Sequence, residues 1–284
     1  MITLQEPAYA KLNLTLDILG KRDDGYHELE GVMQQITLHD DVEIDVGTGE
    51  DWKLECDWEQ IAVDSRNLAW KAAGVFYQSI GKDPQGITFR ITKRIPTEAG
   101  LGGGSSDAAA VFRALNRHEG EPYTIWELAR LGAKVGSDVP FCILGGTALA
   151  KGRGEVLTQL LPMPRCFYCV AMPDFSVSTP VLFEEFDQRQ QVVHPNNAGL
   201  LKALDQQNLL HAAGYVSNVM EPLVSEKHPV IEQIKTVMRD CGALGTAMTG
   251  SGPAVFGIFD AFDMAAMASM QLMGTCRTYL SQNV

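Results

Sequence analysis

The sequence predicts an α+β protein built from two domains. Its 284 residues are 45% apolar, and a chain of this length usually divides its buried side chains between two cores. Candidate strands and helices follow one another without the regular period of a doubly wound parallel sheet. The composition changes at a run of prolines that begins at Pro162. We therefore expect a first domain over 1–160 and a second over 161–284.

The first clear element is a strand over 9–16. Apolar and polar residues alternate strictly in it, so we expect one buried face and one exposed face. Lys11 and Asn13 share the polar face, about 7 Å apart at strand spacing. This arrangement suits two side chains that point into one cleft.

The remaining elements follow from apolar periodicity and from glycine and proline punctuation. In the first domain we expect strands over 32–37, 41–46 and 87–91, helices over 67–80, 107–116 and 125–135, and a strand that begins at 147. In the second domain we expect strands over 167–172 and 254–259, a short final strand, and helices over 200–213, 230–240 and 264–273. The methionines of this last helix have helical spacing, and we expect them to pack in the core.

A loop with four glycines lies between the strand over 87–91 and the helix after it. It comprises Gly100 and Gly102–Gly104, followed by Ser105 and Ser106, and we expect one of the serines to cap the helix. Backbone amides at such a helix start favour phosphate, although a tight structural connection is the alternative interpretation. The loop is not a Walker A loop, because no lysine follows Gly104, and Ser105 stands where a dinucleotide loop requires glycine.

Asp138 is a candidate general base. It lies between Gly136 and Pro140 in an otherwise apolar segment, and the alternative is that it caps the next helix. A carboxylate that accepts a proton from an alcohol needs a nearby cation to keep it ionised. We expect Lys11 to be this cation, although it could also be an ordinary solvated lysine.

Three separated segments together resemble the GHMP kinases: residues 7–14, residues 96–106 and residues 249–256. Within that superfamily, residues 22–29 and 136–140 resemble the kinases that act on 4-diphosphocytidyl-2-C-methyl-D-erythritol. The motifs keep their order and approximate spacing over essentially the whole chain. The resemblance implies a first domain like the second domain of ribosomal protein S5 and a ferredoxin-like second domain.

The resemblance also implies an activity. It is the transfer of the γ-phosphoryl group of ATP to the 2-hydroxyl of the cytidine-diphosphate methylerythritol, in isoprenoid precursor synthesis, with ATP and Mg²⁺ as cofactors. Asp138 would act as base and Lys11 would assist it. The ligands of Mg²⁺ stay open among Ser105, Ser106 and phosphate oxygens.

The binding residues implied by the resemblance fall into two groups. The expected ATP-binding residues are Pro96, Gly100, Leu101, Gly102, Gly103, Gly104, Ser105 and Ser106, with Asn67 and Lys93 near the base. The expected substrate-binding residues are Asn13, Tyr26, His27, Thr179 and Phe183. Of these, Tyr26 and Phe183 would stack on cytosine, and His27 would read its edge.

Charge and composition limit the partners. The formal net charge of −12 repels nucleic acid. The sequence lacks both an export signal at 1–7 and an apolar run of about 20 residues that could span a membrane. We therefore expect a cytoplasmic protein, with a homodimer left open. The alternative functions are another enzyme of the superfamily, such as a mevalonate or homoserine kinase, and a catalytically silent sensor of ATP and ligand.

Overall fold

The computed structural model describes residues 2–49, 51–84 and 86–284. The strands in these ranges are β1 (Ile2–Asn13), β2 (Thr15–Lys21), β3 (His27–Val46), β4 (Lys53–Cys56), β5 (Ile87–Thr92), β6 (Thr147–Gly152), β7 (Val156–Gln159), β8 (Phe167–Met172), β9 (Ser217–Asn218), β10 (Gly245–Met248), β11 (Val255–Phe259) and β12 (Arg277–Gln282). The helices are α1 (Leu68–Ser79), α2 (Gly103–His118), α3 (Ile125–Gly132), α4 (Val139–Leu144), α5 (Thr179–Asp187), α6 (Asn197–Asp205), α7 (Leu209–Gly214), α8 (Glu221–Lys227), α9 (Val230–Asp240) and α10 (Phe262–Gln271).

The chain packs as two compact units that interleave along the sequence. Unit 1 comprises the described residues up to 10, residues 39–95 and residues 102–145. Unit 2 comprises residues 11–38, 96–101 and 146–284. Strands β1 and β3 contribute residues to both units. This division by packing leaves the predicted domain boundary near residue 160 as a prediction.

Unit 1 combines a small sheet with four helices. The second half of β3 pairs antiparallel with β5, and β5 pairs in parallel with β4. Helix α2 packs against α1 and α4, and it buries a run of alanines, Ala108–Ala110. Small side chains allow close helix packing, and the first turn of α2 is thereby fixed in place.

Unit 2 contains the first half of β3 and a second, antiparallel sheet. The first half of β3 pairs antiparallel with β2 and β6, and β2 pairs in parallel with β9. The second sheet has the order β10-β11-β8-β12, with α9 and α10 packed on it. Its core includes Ile234, Met238 and Phe259, all fully buried. Among the described residues, no helix combines the length and the apolar character that crossing a bilayer requires.

The α+β class is confirmed, while several boundaries differ from the prediction. The strand predicted over 9–16 breaks at Leu14, and the two strands predicted over 32–46 form the single strand β3. The helix predicted over 200–213 is divided into α6 and α7. Gln207 adopts a left-handed φ of 51°, and the side chain of Asn208 then accepts from His211 N, which starts a new helix.

The predicted exposed face of the first strand is wrong, because Lys11 and Asn13 are 4% and 2% exposed. Lys11 N donates to Leu101 O at 3.0 Å, and Asn13 N donates to Thr249 Oγ1 at 3.0 Å. Distant segments therefore cover this face of the strand.

The last predicted helix is present as α10, but the expectation that its methionines pack in the core is wrong. Met270 and Met273 are 68% and 74% exposed, whereas α10 buries Ala265 and Ala268. The alanines form the face that packs on the sheet, and the methionines project away from it.

Candidate active site

The start of α2 presents backbone amides without a capping side chain. Gly102 is the N-cap residue, with a left-handed φ of 71° and no side-chain hydrogen bond to the helix. The first bond of the helix runs from Ser106 N to Gly102 O at 2.8 Å. The amides of Gly103, Gly104 and Ser105 precede this bond, and such amides have no acceptor within their own helix. Together with the helix dipole, these amides give the start of α2 the geometry of an anion site.

The prediction that Ser105 or Ser106 caps the helix is wrong, because both serines lie inside it. The hydroxyl of Ser106 donates to Tyr9 O at 2.6 Å and lies 3.0 Å from Gly102 O. This hydroxyl therefore links the first turn of α2 to β1 through a hydrogen bond, and it does not cap the helix.

Asp138 lies beside this anion site within unit 1. It is the N-cap residue of α4, but its side chain makes no capping hydrogen bond, so the alternative that this side chain caps the helix is not supported. The turn that precedes it passes close to α2, since a Cβ atom built on Gly136 would lie 3.9 Å from Ser105 Oγ. Asp138 as a residue is half-buried.

The two residues expected near the nucleotide base already have structural partners. Asn67 caps α1, accepting from Ala69 N and donating to Ala62 O, each at 2.9 Å. Lys93 is buried and donates to Asp107 Oδ2 at 2.7 Å and to Asp40 Oδ2. Whether either residue contacts ATP stays a prediction.

Burial and charge shift the pKa values of this buried cluster. Burial raises the pKa of Asp107 to about 7, a shift that Lys93 opposes and Asp40 reinforces. Burial alone would lower the pKa of Lys93, but Asp107 and Asp40 together raise it. The lysine is therefore held as an ammonium ion.

In unit 2, the glycine loop packs backbone to backbone against a second glycine turn at 249–253. A Cβ atom on Gly100 would lie 2.1 Å from Thr249 O, and one on Gly250 would lie 3.0 Å from the Cα of Gly100. Thr249 Oγ1 donates to Gly100 O at 3.2 Å. The two glycine motifs, separated by almost 150 positions in the sequence, therefore lie side by side.

Lys11 and Asn13 belong to this same cluster. Lys11 Nζ donates to Asn13 Oδ1 at 2.5 Å, and the backbone of Lys11 is bonded to the loop residue Leu101. Asn13 therefore holds the ammonium group, while the glycine loop and the late glycine turn hold the backbone of the strand that carries both residues.

Three of the predicted substrate residues carry aromatic rings and lie in unit 2. His27 stacks on Phe183 with ring centroids 4.5 Å apart and an interplanar angle of 24°. Tyr26 is 56% exposed, and the guanidinium of Arg153 lies 4.8 Å from its ring centroid. Tyr26 thus offers an exposed ring to a planar base, whereas His27 and Phe183 each occupy one face of the other's ring.

Thr179 links this region to the late glycine turn. Its hydroxyl lies 2.7 Å from Ser251 Oγ, at the first residue of α5. The aromatic residues and the glycine turn are thus joined by one short hydrogen bond.

Sequence reasoning missed three residues of the site. Asp187 Oδ1 lies 2.6 Å from His27 Nε2 and its Oδ2 accepts from Lys21 Nζ at 2.7 Å, and Lys21 and then His27 lower the pKa of Asp187. Arg153 covers Tyr26. Asn218 donates to Gly250 O at 2.7 Å and to Met248 O at 2.9 Å, which supports the late glycine turn. Each acts on residues far away in the sequence, so no local signal marks them.

Comparison with known proteins adds the family. Residues 67–146 match the GHMP kinases N terminal domain and residues 192–269 match the GHMP kinases C terminal family. The 4-diphosphocytidyl-2-C-methyl-D-erythritol kinase of Caldicellulosiruptor saccharolyticus is 43% identical over 89% of this chain and 87% of its own length. The chain belongs to this family of GHMP kinases.

Solved structures agree with this membership. A crystal structure of 4-(cytidine 5'-diphospho)-2C-methyl-D-erythritol kinase is 31% identical, with a TM-score of 0.82 and 99% of each chain covered. Homoserine kinase from Cytophaga hutchinsonii has a TM-score of 0.79 at 17% identity, over 99% of this chain and 94% of its own. The second likeness shows that the GHMP kinase fold is shared and says nothing of substrate.

Gly100→Ala should destabilise this kinase, because alanine at a left-handed φ of 75° would also overlap Thr249 O. We expect a loss of roughly 2–5 kcal/mol in the free energy of unfolding. Gly74→Ala is the matched control: it lies in α1 with open space around its Cα and should gain about 0.5–1 kcal/mol. Urea unfolding of both variants tests this, and equal stability of Gly100→Ala and the parent chain would contradict the packing described.

Proposed function

We propose that this chain transfers the γ-phosphoryl group of ATP to the 2-hydroxyl of 4-diphosphocytidyl-2-C-methyl-D-erythritol, in the methylerythritol phosphate route to isoprenoid precursors. The observation that supports this best is the uncapped start of α2 with the Asp138 turn beside it. A phosphate-binding turn next to a carboxylate is what transfer to an alcohol requires. Membership of the family supplies the identity of the alcohol.

The catalytic roles follow the charges of the site. Phosphoryl transfer asks a protein mainly for positioning and for stabilisation of charge. The amides of Gly103–Ser105 would hold ATP phosphates, and Gly100 and Leu101 would bring the loop backbone close to them. Asp138 would accept the proton of the 2-hydroxyl. Lys11 would assist by stabilising the negative charge that develops during transfer. Its hydrogen bond to Asn13 fixes the orientation of its ammonium group.

Cytosine recognition would fall to the aromatic residues of unit 2. The ring of Tyr26 is covered by Arg153 and would stack on the base together with Phe183. His27 would read the base edge. Thr179 and Asn13 would contact the remainder of the substrate, since both belong to the hydrogen-bond network of the late glycine turn.

Magnesium would be held by phosphate oxygens and by Ser105. The hydroxyl of Ser106 already donates to backbone oxygens, whereas that of Ser105 lies near Gly136, in the turn that precedes Asp138. A hydroxyl oxygen and phosphate oxygens are ligands that Mg²⁺ accepts. The ion would neutralise phosphate charge during transfer.

The proposal is tested by measuring the ADP that forms from ATP when the cytidylyl substrate, mevalonate or homoserine is supplied at equal concentration. We expect ADP only with the cytidylyl substrate and only with Mg²⁺ present. Faster release with mevalonate or homoserine would assign the chain to another GHMP activity. Absence of ADP release with every alcohol, although ATP binds, would favour the catalytically silent sensor.

Asp138→Asn connects that activity to the site. The amide cannot accept a proton, so kcat should fall by about 10² to 10⁴ while the affinity for ATP changes little. Single-turnover kinetics and calorimetry measure the two quantities separately. Full turnover in the variant would remove Asp138 as the base.

Asp187→Asn should weaken binding of the cytidylyl substrate, because Asp187 holds the imidazole ring of His27. Loss of the charged partner frees the imidazole ring, so the KM for the cytidylyl substrate should rise about three- to tenfold, while the KM for ATP stays constant. Glu184→Gln is the matched control, because it removes one charge from an exposed position of the same helix. A rise in the KM for ATP of the same size would show that Asp187 acts on the fold and not on substrate binding.

A further inference from the structure

A buried cluster of three charged side chains lies under the first turns of α2. The side chains of Lys93, Asp40 and Asp107 are 1%, 0% and 5% exposed. Taking charges out of water costs several kcal/mol for each ion, and a buried pair often recovers little more than this. Stability alone therefore gives a weak reason for the cluster, and a role in fixing local geometry gives a better one.

Each partner in the cluster holds a different segment of unit 1. Asp40 belongs to β3, and its Oδ1 accepts from Arg94 N at 2.5 Å and from Ile95 N at 2.8 Å. Asp107 lies in the second turn of α2. Lys93 Nζ bridges the two carboxylates. The ammonium group thus joins the sheet and the segment that follows β5 to the beginning of α2.

The ammonium group also lies directly against the residue that starts the helix. A Cβ atom on Gly103 would be 3.4 Å from Lys93 Nζ and 3.2 Å from Ile95 Cγ2. The side chains of Lys93 and Ile95 therefore pack close to the backbone of Gly103. We expect a change in the length or charge of the side chain at 93 to shift Gly103 or the two aspartates.

The charge of Lys93 is already matched by carboxylates. An ammonium group that is bonded to two aspartates and is 1% exposed would have to leave both before it could reach a ligand. Leaving would strand two buried carboxylates, which is a costly state. Direct contact of this ammonium group with ATP is thus disfavoured, unlike the contact that the family resemblance implies for this position.

We propose that Lys93 is a positioning residue: through Asp107 and Asp40 it fixes Gly103–Ser105 where their amides receive phosphate, without touching the nucleotide itself. This inference rests on the proposed function in one respect, that the start of α2 binds the phosphates of ATP. Lys93 would then control affinity for any polyphosphate, whether or not it carries a base.

Inorganic tripolyphosphate separates an effect on the phosphate site from contact with the base or ribose, because it has neither base nor ribose. Calorimetry gives the dissociation constants of tripolyphosphate and of a non-hydrolysable ATP analogue for the parent chain and for Lys93→Met. We expect both constants to rise by the same factor, about tenfold or more. A rise for the ATP analogue with unchanged tripolyphosphate binding would overturn the proposal, because it would mean contact with the base or ribose.

A double-mutant cycle with Asp107→Asn gives a second readout. If Lys93 acts through Asp107, the loss in Lys93→Met/Asp107→Asn should be smaller than the product of the two single losses. Independent, multiplicative losses would contradict the proposed route. Lys82→Met is the matched control, because it removes an exposed lysine paired with Glu119 in the same unit, and it should bind both probes like the parent chain.

Lys93→Arg covers the case in which Lys93→Met does not fold. The charge is kept, but a planar guanidinium group cannot fill the gap below Gly103 without moving it. Weaker binding of tripolyphosphate by the folded variant is expected, and binding equal to that of the parent chain would overturn the proposal. If the parent chain itself binds the ATP analogue but not tripolyphosphate, the assignment of α2 as the phosphate site fails instead.

Discussion

The first turn of α2 depends on one backbone conformation. Gly102 takes a left-handed φ of 71° in the position where most helices place a capping side chain, so the amides of Gly103–Ser105 keep their donors for a ligand. A residue with a Cβ atom adopts this conformation at a cost of roughly 1–2 kcal/mol, and a serine or aspartate there would use the amides itself. The anion site thus exists because a cap is absent.

Backbone amides at a helix start also explain how a protein with a large negative charge can bind phosphate. At a net charge of −12, long-range attraction of ATP is excluded, and binding must come from groups a few ångströms from the phosphates. Backbone dipoles supply this without a cost in side-chain entropy. Two lysines are held tightly within their own units: Lys11 of unit 2 by Asn13, and Lys93 of unit 1 by two aspartates. In both units, the fixed position of a cationic side chain matters more than the number of cationic side chains.

Local sequence predicted much of this fold and site. The glycine loop, the strand before it and the helix after it were visible as punctuation and periodicity. The family resemblance singled out Tyr26, His27 and Phe183, but it did not predict that His27 stacks on Phe183. The exposed face assigned to Lys11 and Asn13 was wrong, because Thr249, 236 positions after Asn13, covers it. Alternation within a strand cannot reveal what packs on either side of that strand.

The same limit explains the residues that were missed. Asp187 acts on His27 across 160 positions, and Asn218 holds a turn more than 30 positions later. The helix start was misplaced for a different reason, since serines after glycines are usual caps and only the φ of Gly102 shows otherwise. Sequence patterns thus identified the elements that carry the candidate site residues. The contacts that orient these residues could be identified only in the folded structure.

The most direct test of this account is the backbone amide NMR spectrum of Gly103, Gly104 and Ser105 during titration with tripolyphosphate, an ATP analogue and adenosine. We expect these three resonances to shift strongly and in the same direction with tripolyphosphate and with the ATP analogue, but little with adenosine. Unchanged resonances at these positions, with shifts at other amides on phosphate binding, would contradict the central role of the uncapped helix.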